Sequence, residues 1–164
     1  MKTLYVVRHA KSSWDNPSLS DHDRPLMQKG INKTVKITEF LKWKITCPDL
    51  FLSSTAARAK QTAEIISKGL NYPSERIITT NKLYHATTES IFNELYGLSN
   101  QIILVMIFGH NPGLTYFVNK FLNPTIENLP TSGVVSVSFE TNEWKKINEA
   151  KFHVNFVMFP KMLK

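Results

Sequence analysis

The chain has 164 residues, a net charge of +7 and a single cysteine, Cys47. A chain of about 150 residues buries roughly 68–70% of its unfolded surface, so we predict one domain over residues 1–164 that folds without a metal or a disulfide. A lone cysteine favours a reducing compartment, because it cannot form a disulfide within the chain. No apolar run reaches the ~20 residues that span a bilayer. The first apolar run is also too short for a signal peptide. We therefore expect a cytoplasmic protein with no membrane partner. The positive charge favours anionic partners, but the basic residues are scattered, which argues against nucleic acid.

Apolar runs and helical spacings alternate along the chain. In chain order they predict a strand over Thr3–Val7, a helix over Gln28–Lys42, a strand over Asp49–Ser53, a helix over Ala56–Leu70, a strand over Ile77–Thr79, a helix over Ser90–Leu98, a strand over Ile102–Phe108, a helix over Leu114–Leu122, a strand over Val134–Phe139 and an edge strand over Lys151–Met158. The first helix has its predicted apolar side at Ile31, Val35, Ile37, Thr38 and Leu41. The alternation predicts an α/β fold with a mostly parallel sheet and helices on both faces. The strand over Ile102–Phe108 is uninterrupted and apolar, which is typical of a central buried strand.

Basic side chains follow several of these strands at equivalent positions. Arg8 and His9 come directly after the first strand, Arg58 opens the helix after the second, and His110 follows the central strand. Because the carboxyl ends of parallel strands meet at one edge of a sheet, we expect these side chains to lie together. Taken singly, each has a structural explanation as a loop histidine, a solvated arginine or a turn residue. The prediction depends on their coincidence.

This set of side chains suits phosphoryl transfer, which depends on positioning and charge neutralisation. Two arginines can clamp one phosphate bidentately. A neutral His9 can attack phosphorus through one ring nitrogen while a hydrogen bond on the other fixes its tautomer. His110, either protonated or neutral with its N–H facing inward, can donate a further hydrogen bond to the phosphate oxygens. No zinc-ligand spacing and no Walker A motif is present, so we expect neither a metal nor a cofactor.

The same residues resemble the histidine phosphatase, or phosphoglycerate-mutase-like, superfamily. Arg8-His9-Ala10 is similar to its Arg-His-Gly signature, Ser53–Ala63 to its second arginine motif and Gly109–Gly113 to its second histidine motif. The resemblance implies a three-layer α/β/α sandwich and a catalytic phosphohistidine intermediate. Alanine at position 10 departs from the signature, and it would be strained if the backbone there needed a positive φ.

Within that superfamily the chain resembles the SixA-type phosphohistidine phosphatases. The similar segments are Arg24-Pro25-Leu26, followed by Gly30, and Leu129–Gly133. The resemblance implies that Arg8, His9, Arg58 and His110 surround the phosphate, with phosphate carried on His9. It also adds Arg24 as a substrate-binding candidate, although Arg24 could equally be a surface salt-bridge residue. His85 is a further substrate-binding candidate.

Mutase-like members carry a glutamate that protonates the leaving group, and SixA-type members lack it. The comparable stretch here, Leu83–Ala86, contains no carboxylate. His85, Asp21 and Asp23 are the remaining candidate donors, each with the alternative of being a plain loop residue. An imidazole leaving group is far less basic than an alkoxide and needs less protonation, so the missing acid favours P–N over P–O substrates.

The first hypothesis is therefore a phosphatase that acts on phosphohistidine in a protein, such as a histidine phosphotransfer domain. The second is a phosphomonoesterase or mutase that acts on a small phosphorylated metabolite. The third is a phosphate- or phosphoprotein-binding module without catalysis.

Overall fold

The computed structural model describes all residues, 1–164. Its helices and strands are β1 (Lys2–Arg8), α1 (Gln28–Lys44), β2 (Leu50–Ser54), α2 (Ala57–Gly69), β3 (Ile78–Thr80), α3 (Thr88–Tyr96), β4 (Leu104–Gly109), α4 (Gly113–Val118), β5 (Val134–Phe139) and β6 (Phe152–Met158). Every predicted element is present, and most boundaries move by one or two residues. None of the helices is both long and apolar enough to cross a bilayer.

The strands form one sheet in the order β3-β2-β4-β1-β5-β6. β1, β2, β3 and β4 pair in parallel, and β5 runs antiparallel to both β1 and β6. The prediction of a mostly parallel sheet is confirmed, with β4 in its interior and β6 at its edge. The order places the carboxyl ends of β1, β2 and β4 side by side.

The alternation of side chains along each strand builds two cores, one on each face of the sheet. In β1, Leu4 and Val6 belong to the core covered by α3 and α4. The intervening Tyr5 and Val7 belong to the core covered by α1 and α2. The molecule is therefore a three-layer α/β/α sandwich, as predicted.

The buried face of α1 differs from the prediction at two positions, since Ile31 is only half-buried and Val35 is exposed. Val35 is 47% exposed, and Thr34 is buried in its place, together with Ile37, Thr38 and Leu41. The observed set follows the i, i+3, i+4, i+7 spacing of a helix face more closely than the predicted one. Thr34 is compatible with burial because its hydroxyl donates to the carbonyl of Gly30 four residues earlier.

The fourth helix is shorter than predicted and ends at Val118 instead of Leu122. Asn119 follows it, and its side-chain amide pairs with both backbone groups of Ile126, at 2.8 and 2.9 Å. These bonds offer the backbone an alternative to continuing the helix, as asparagine side chains commonly do.

Candidate active site

All the site residues predicted from the sequence line one cleft of about 570 Å³: Arg8, His9, Arg24, Arg58, His85 and His110. The strand register explains why the histidines meet. Arg8 at the end of β1 pairs with Gly109 at the end of β4, so His9 and His110 leave neighbouring strands at the same level. Their ring centroids lie 5.0 Å apart. The cleft thus lies at the carboxyl edge of the sheet, where the argument from parallel strands placed it.

His9 is held as a neutral imidazole. Its Nδ1–H donates to the carbonyl oxygen of Ala10 at 2.7 Å, which leaves the lone pair on Nε2. Burial, together with the positive charges of Arg58, Arg8 and Arg24, lowers the pKa of His9 to about 4, against the opposing effect of the Ala10 bond. At neutral pH the ring is therefore uncharged and its Nε2 can attack an electrophile.

The backbone after His9 is fixed without strain. Ala10 has no positive φ, so the alanine in place of glycine costs nothing. Its N–H donates to Thr62 Oγ1 at 2.8 Å. At the next residue, Lys11, the chain passes so close to Gly30 that a Cβ on this glycine would collide with the Lys11 carbonyl. Gly30 therefore allows α1 to pack against the loop that follows His9.

His110 is also neutral. Its Nε2 lies 2.8 Å from Ser54 Oγ at the end of β2, and its Nδ1 is buried without a partner. Burial lowers the pKa of His110 to about 3, with smaller contributions from His9 and Arg58. Of the two protonation states that the sequence left open for this residue, the structure favours the uncharged one.

The arginines approach the cleft from different elements. Arg58, in the first turn of α2, donates from Nη2 to Asp21 Oδ2 at 3.0 Å and from Nη1 to the Asp21 carbonyl at 2.7 Å. Arg24 donates from Nη2 to Asp21 Oδ1 at 3.1 Å and from Nη1 to Ser12 Oγ at 2.8 Å. Arg8 donates from Nη1 to the Leu129 carbonyl at 3.0 Å. Arg24 thus lies in the cleft and is also a salt-bridge residue.

Asp21 is ionised and does not act as the proton donor considered from the sequence. The Tyr84 hydroxyl donates to its Oδ2 at 2.7 Å. This bond and the two arginines hold the pKa of Asp21 well below its usual range, despite the opposing effect of burial. Asp23 lies outside the cleft, 3.3 Å from His22 Nδ1. Of the three candidate donors, His85 alone remains, at a backbone φ of 55° and with its ring 4.0 Å from that of Tyr84.

Three buried side-chain nitrogens have no hydrogen-bond partner, and all three belong to predicted site residues: Arg8 Nε, Arg58 Nε and His110 Nδ1. No other buried side-chain nitrogen or oxygen of the chain lacks a partner. Each such group costs about 1–3 kcal/mol when it is left unpaired. Two guanidinium groups and a histidine with free hydrogen-bonding capacity at one edge are suited to accept a tetrahedral oxyanion. No group of histidine, cysteine and carboxylate side chains in the chain could hold a metal ion.

Two interactions at the site had no clear signal in the sequence. Trp14 stacks on the Arg24 guanidinium, which lies 3.4 Å from the ring centroid. Asp21 joins Arg24 and Arg58 through its carboxylate. The i, i+3 spacing of Asp21 and Arg24 was the one available signal, and it applies to neighbours on a helical turn. The contact to Arg58 crosses between segments and has no local pattern.

The model of the histidine phosphatase superfamily, branch 1, matches residues 4–85 of the chain. The chain belongs to the histidine phosphatase superfamily. The matched residues include His9, Arg8, Arg24, Arg58 and His85, and His110 lies beyond them. Membership supports a phosphatase, in agreement with a cleft that gathers arginines around a neutral histidine.

Relatives of this histidine phosphatase include one with an assigned activity. Over 139 residues the chain is 25% identical to the phosphohistidine phosphatase SixA of Escherichia coli, covering 84% of this chain and 85% of that protein. It is 28% identical over 153 residues to an uncharacterised chloroplastic protein of Arabidopsis thaliana, covering 88% of this chain and 70% of the relative. A solved structure of the protein histidine phosphatase SixA with tungstate superposes with a TM-score of 0.81 at 25% identity, covering 99% of each chain.

Proposed function

We propose that this phosphatase hydrolyses phosphohistidine in a protein substrate through a phospho-His9 intermediate. The observation that carries the proposal is the state of the only carboxylate in the cleft. Asp21 is ionised and bonded to Arg24, Arg58 and Tyr84, so the cleft holds no carboxylic acid to protonate a leaving group. An alkoxide leaving group needs such a proton, whereas a phosphohistidine ring that is protonated on its other nitrogen leaves as neutral imidazole, whose conjugate acid titrates near ~6.5, and needs far less assistance.

In the first step, Nε2 of His9 attacks phosphorus and the P–N bond of the substrate breaks. The bonding pair goes to the substrate ring, which leaves as neutral imidazole because its other nitrogen already carries a proton taken from solvent. The Nδ1–H bond to the Ala10 carbonyl stabilises the positive charge that develops on the His9 ring. In the second step, water attacks phosphorus, the P–Nε2 bond breaks, and inorganic phosphate leaves with His9 restored.

Arg8, Arg58 and His110 stabilise the charge on the phosphoryl oxygens in both steps. Their three unpaired nitrogens are already in place before substrate arrives, so no bond within the protein must break to free them. Arg24 and His85 contact the substrate at the mouth of the cleft. Each reaction step is complete without a metal or cofactor.

The relatives support this substrate class. SixA of Escherichia coli is a phosphohistidine phosphatase by name, and the solved SixA complex holds tungstate, a tetrahedral oxyanion. A phosphorylated protein such as a histidine phosphotransfer domain would present the P–N bond in a reducing, cytoplasmic compartment.

Both cores share one sheet, which supports residues 1–164 as one domain.

One observation favours a second candidate, a phosphomonoesterase acting on a small metabolite. His85 lines the cleft and could deliver a proton to a leaving alkoxide. The two candidates differ in the bond that breaks, so the relative rates on P–N and P–O substrates separate them.

The test is to measure phosphate release from a phosphorylated histidine phosphotransfer domain and from a panel of phosphomonoesters, with acid-quenched and alkali-quenched samples examined for phosphoenzyme. We expect faster release from the phosphohistidine protein and an acid-labile phosphoenzyme. His9→Ala should abolish both signals. The matched control is His153→Ala, an exposed histidine on β6 outside the cleft, which should retain full activity.

A strong preference for phosphomonoesters would support the second candidate. Full activity in His9→Ala would contradict the nucleophile. Binding of phosphate without turnover of any substrate would leave a phosphate-binding module instead of an enzyme.

A further inference from the structure

Ser54 lies in the second arginine motif, but the sequence gives its hydroxyl no catalytic role. Ser54 is the last residue of β2 and is fully buried. Its Oγ lies 2.8 Å from His110 Nε2. On its other side, the backbone N–H of Ala56 donates to the same Oγ at 3.1 Å. The hydroxyl therefore connects the end of β2 to the ring that faces His9.

A count of donors and acceptors fixes the direction of the bond to the ring. A serine hydroxyl has one hydrogen and two lone pairs. Ala56 N–H uses one lone pair, and the only acceptor within hydrogen-bond distance of the hydroxyl hydrogen is His110 Nε2. Ser54 therefore donates to Nε2, and the neutral ring carries its own hydrogen on Nδ1.

The reverse arrangement satisfies fewer groups. If Nε2–H donated to Ser54 Oγ, the hydroxyl hydrogen would have no acceptor and Nδ1 would be a buried bare lone pair. Two buried groups would then be unpaired instead of one, and each costs about 1–3 kcal/mol. A bare lone pair at Nδ1 would also repel the oxygens of a phosphate.

We propose that Ser54 is a positioning residue that sets the tautomer of His110, so that a neutral ring offers Nδ1–H to the phosphoryl group. This inference rests on the proposed function for its catalytic consequence, but the tautomer itself is a property of the free protein. His110 thereby acts as a hydrogen-bond donor without carrying a charge, and the positive charge of the site is left to the arginines.

The first measurement is made on the unliganded wild-type protein at neutral pH. Nitrogen–proton NMR correlation of the histidine rings identifies which ring nitrogen carries the hydrogen, and His110→Gln assigns the signal. We expect His110 to be neutral with its hydrogen on Nδ1. A ring protonated on Nε2, or a charged ring, overturns the proposal whatever the substrate of the enzyme proves to be.

The second measurement compares two serine variants of the same strand. Ser54→Ala should move the His110 population toward the Nε2–H tautomer and weaken tungstate binding roughly 10- to 100-fold, less than outright loss of an oxyanion donor because a minority tautomer still binds. Ser53→Ala is the matched control, since Ser53 is equally buried but donates only to the Ser54 carbonyl, at 2.9 Å. It should leave the tautomer and tungstate binding unchanged.

A third variant separates tautomer control from simple packing. Ser54→Thr keeps the hydroxyl and should retain both the Nδ1–H tautomer and most of the tungstate affinity. Equal tautomers in Ser54→Ala and wild type would overturn the proposal, and so would equal tungstate affinity in these two proteins. Since tungstate binding and the NMR signal need no turnover, a failure of the phosphohistidine assay would count against the proposed substrate and not against Ser54.

Discussion

Each end of strand β1 carries a basic side chain, and the two side chains differ in the hydrogen-bond partners that the protein gives them. Lys2, at the amino end, is buried, and its ammonium group donates to the carbonyls of Asn100 and Ile102. Arg8, at the carboxyl end, donates to Leu129 from one nitrogen but leaves its Nε buried and unpaired. The ammonium nitrogen of Lys2 therefore has protein acceptors for two of its three hydrogens, whereas the Arg8 guanidinium keeps one buried nitrogen with no acceptor at all.

The same contrast separates the cores from the cleft. Buried hydroxyls in the layers are paired, as between Thr34 and Ser132 and between Thr3 and Ser138, both at 2.9 Å. The three unpaired nitrogens lie only at the cleft. Unpaired buried groups lower the stability of the folded protein. Their clustering around one histidine therefore supports the cleft as the place where a ligand supplies the missing hydrogen bonds.

The largest expected effect comes from removing the guanidinium group of Arg8. Arg8→Met should lower kcat/KM roughly 10²–10³-fold, as for other losses of an oxyanion donor. We expect little loss of stability, because the variant removes an unpaired buried group and the Leu129 carbonyl keeps the Asn111 amide as a donor. Lys2→Met should leave kcat/KM within about twofold but lower the free energy of unfolding by roughly 1–2 kcal/mol, because a carbonyl acceptor loses its donor. Steady-state kinetics and urea unfolding of both variants measure the two effects. An active Arg8→Met enzyme would place the phosphate elsewhere.

The next largest effect comes from filling the cleft with an oxyanion. Tungstate at 100 times its dissociation constant should raise the free energy of unfolding by about 2.7 kcal/mol, because it binds only the folded state. The increase should disappear in Arg58→Met and persist in Lys2→Met, as followed by thermal unfolding with and without tungstate. An undiminished increase in Arg58→Met would show that the anion binds outside the cleft.

The smallest effect is the acid sensitivity of the cleft. The folded pKa values of His9, about 4, and of His110, about 3, lie below the ordinary ~6.5 of histidine. Below about pH 6.5 the unfolded chain therefore binds more protons than the folded one, and each histidine lowers stability by roughly 1.4 kcal/mol per pH unit as the pH falls. Urea unfolding between pH 7 and pH 5 should show a shallower dependence in His110→Gln than in wild type. An unchanged slope would mean that His110 is not buried as a neutral ring.

Much of the architecture followed from local patterns. The apolar run before Gly109 predicted the interior strand β4, and the alternation in β5 gave its boundaries, Val134–Phe139, without change. These succeeded because a buried strand reports its surroundings through its own residues. The prediction failed at Val35 and at the end of α4, where burial and helix length depend on partners outside the helix itself. These partners are Ser132 for the neighbouring Thr34, and Ile126 for Asn119.

The residues that line the cleft were predictable from the sequence, but the hydrogen bonds between them were not. The positions of Arg8, His9, Arg58 and His110 after strands identified them, because a parallel sheet brings its carboxyl ends together. Asp21 was considered only as a proton donor, whereas its bonds to Arg58 and Tyr84 keep it ionised. The role of Ser54 depends on the distance between the ends of β2 and β4, which the sequence does not contain.

Periodicity and motifs, which are properties of neighbours along the chain, were enough to identify the α/β alternation, the superfamily of the chain and the residues that gather at the cleft. The free ring nitrogens, the neutralised carboxylate and the unpaired donors could be identified only in the folded protein. Those properties depend on hydrogen bonds and charges between segments tens of residues apart, and they appear only when the sheet brings the segments into contact.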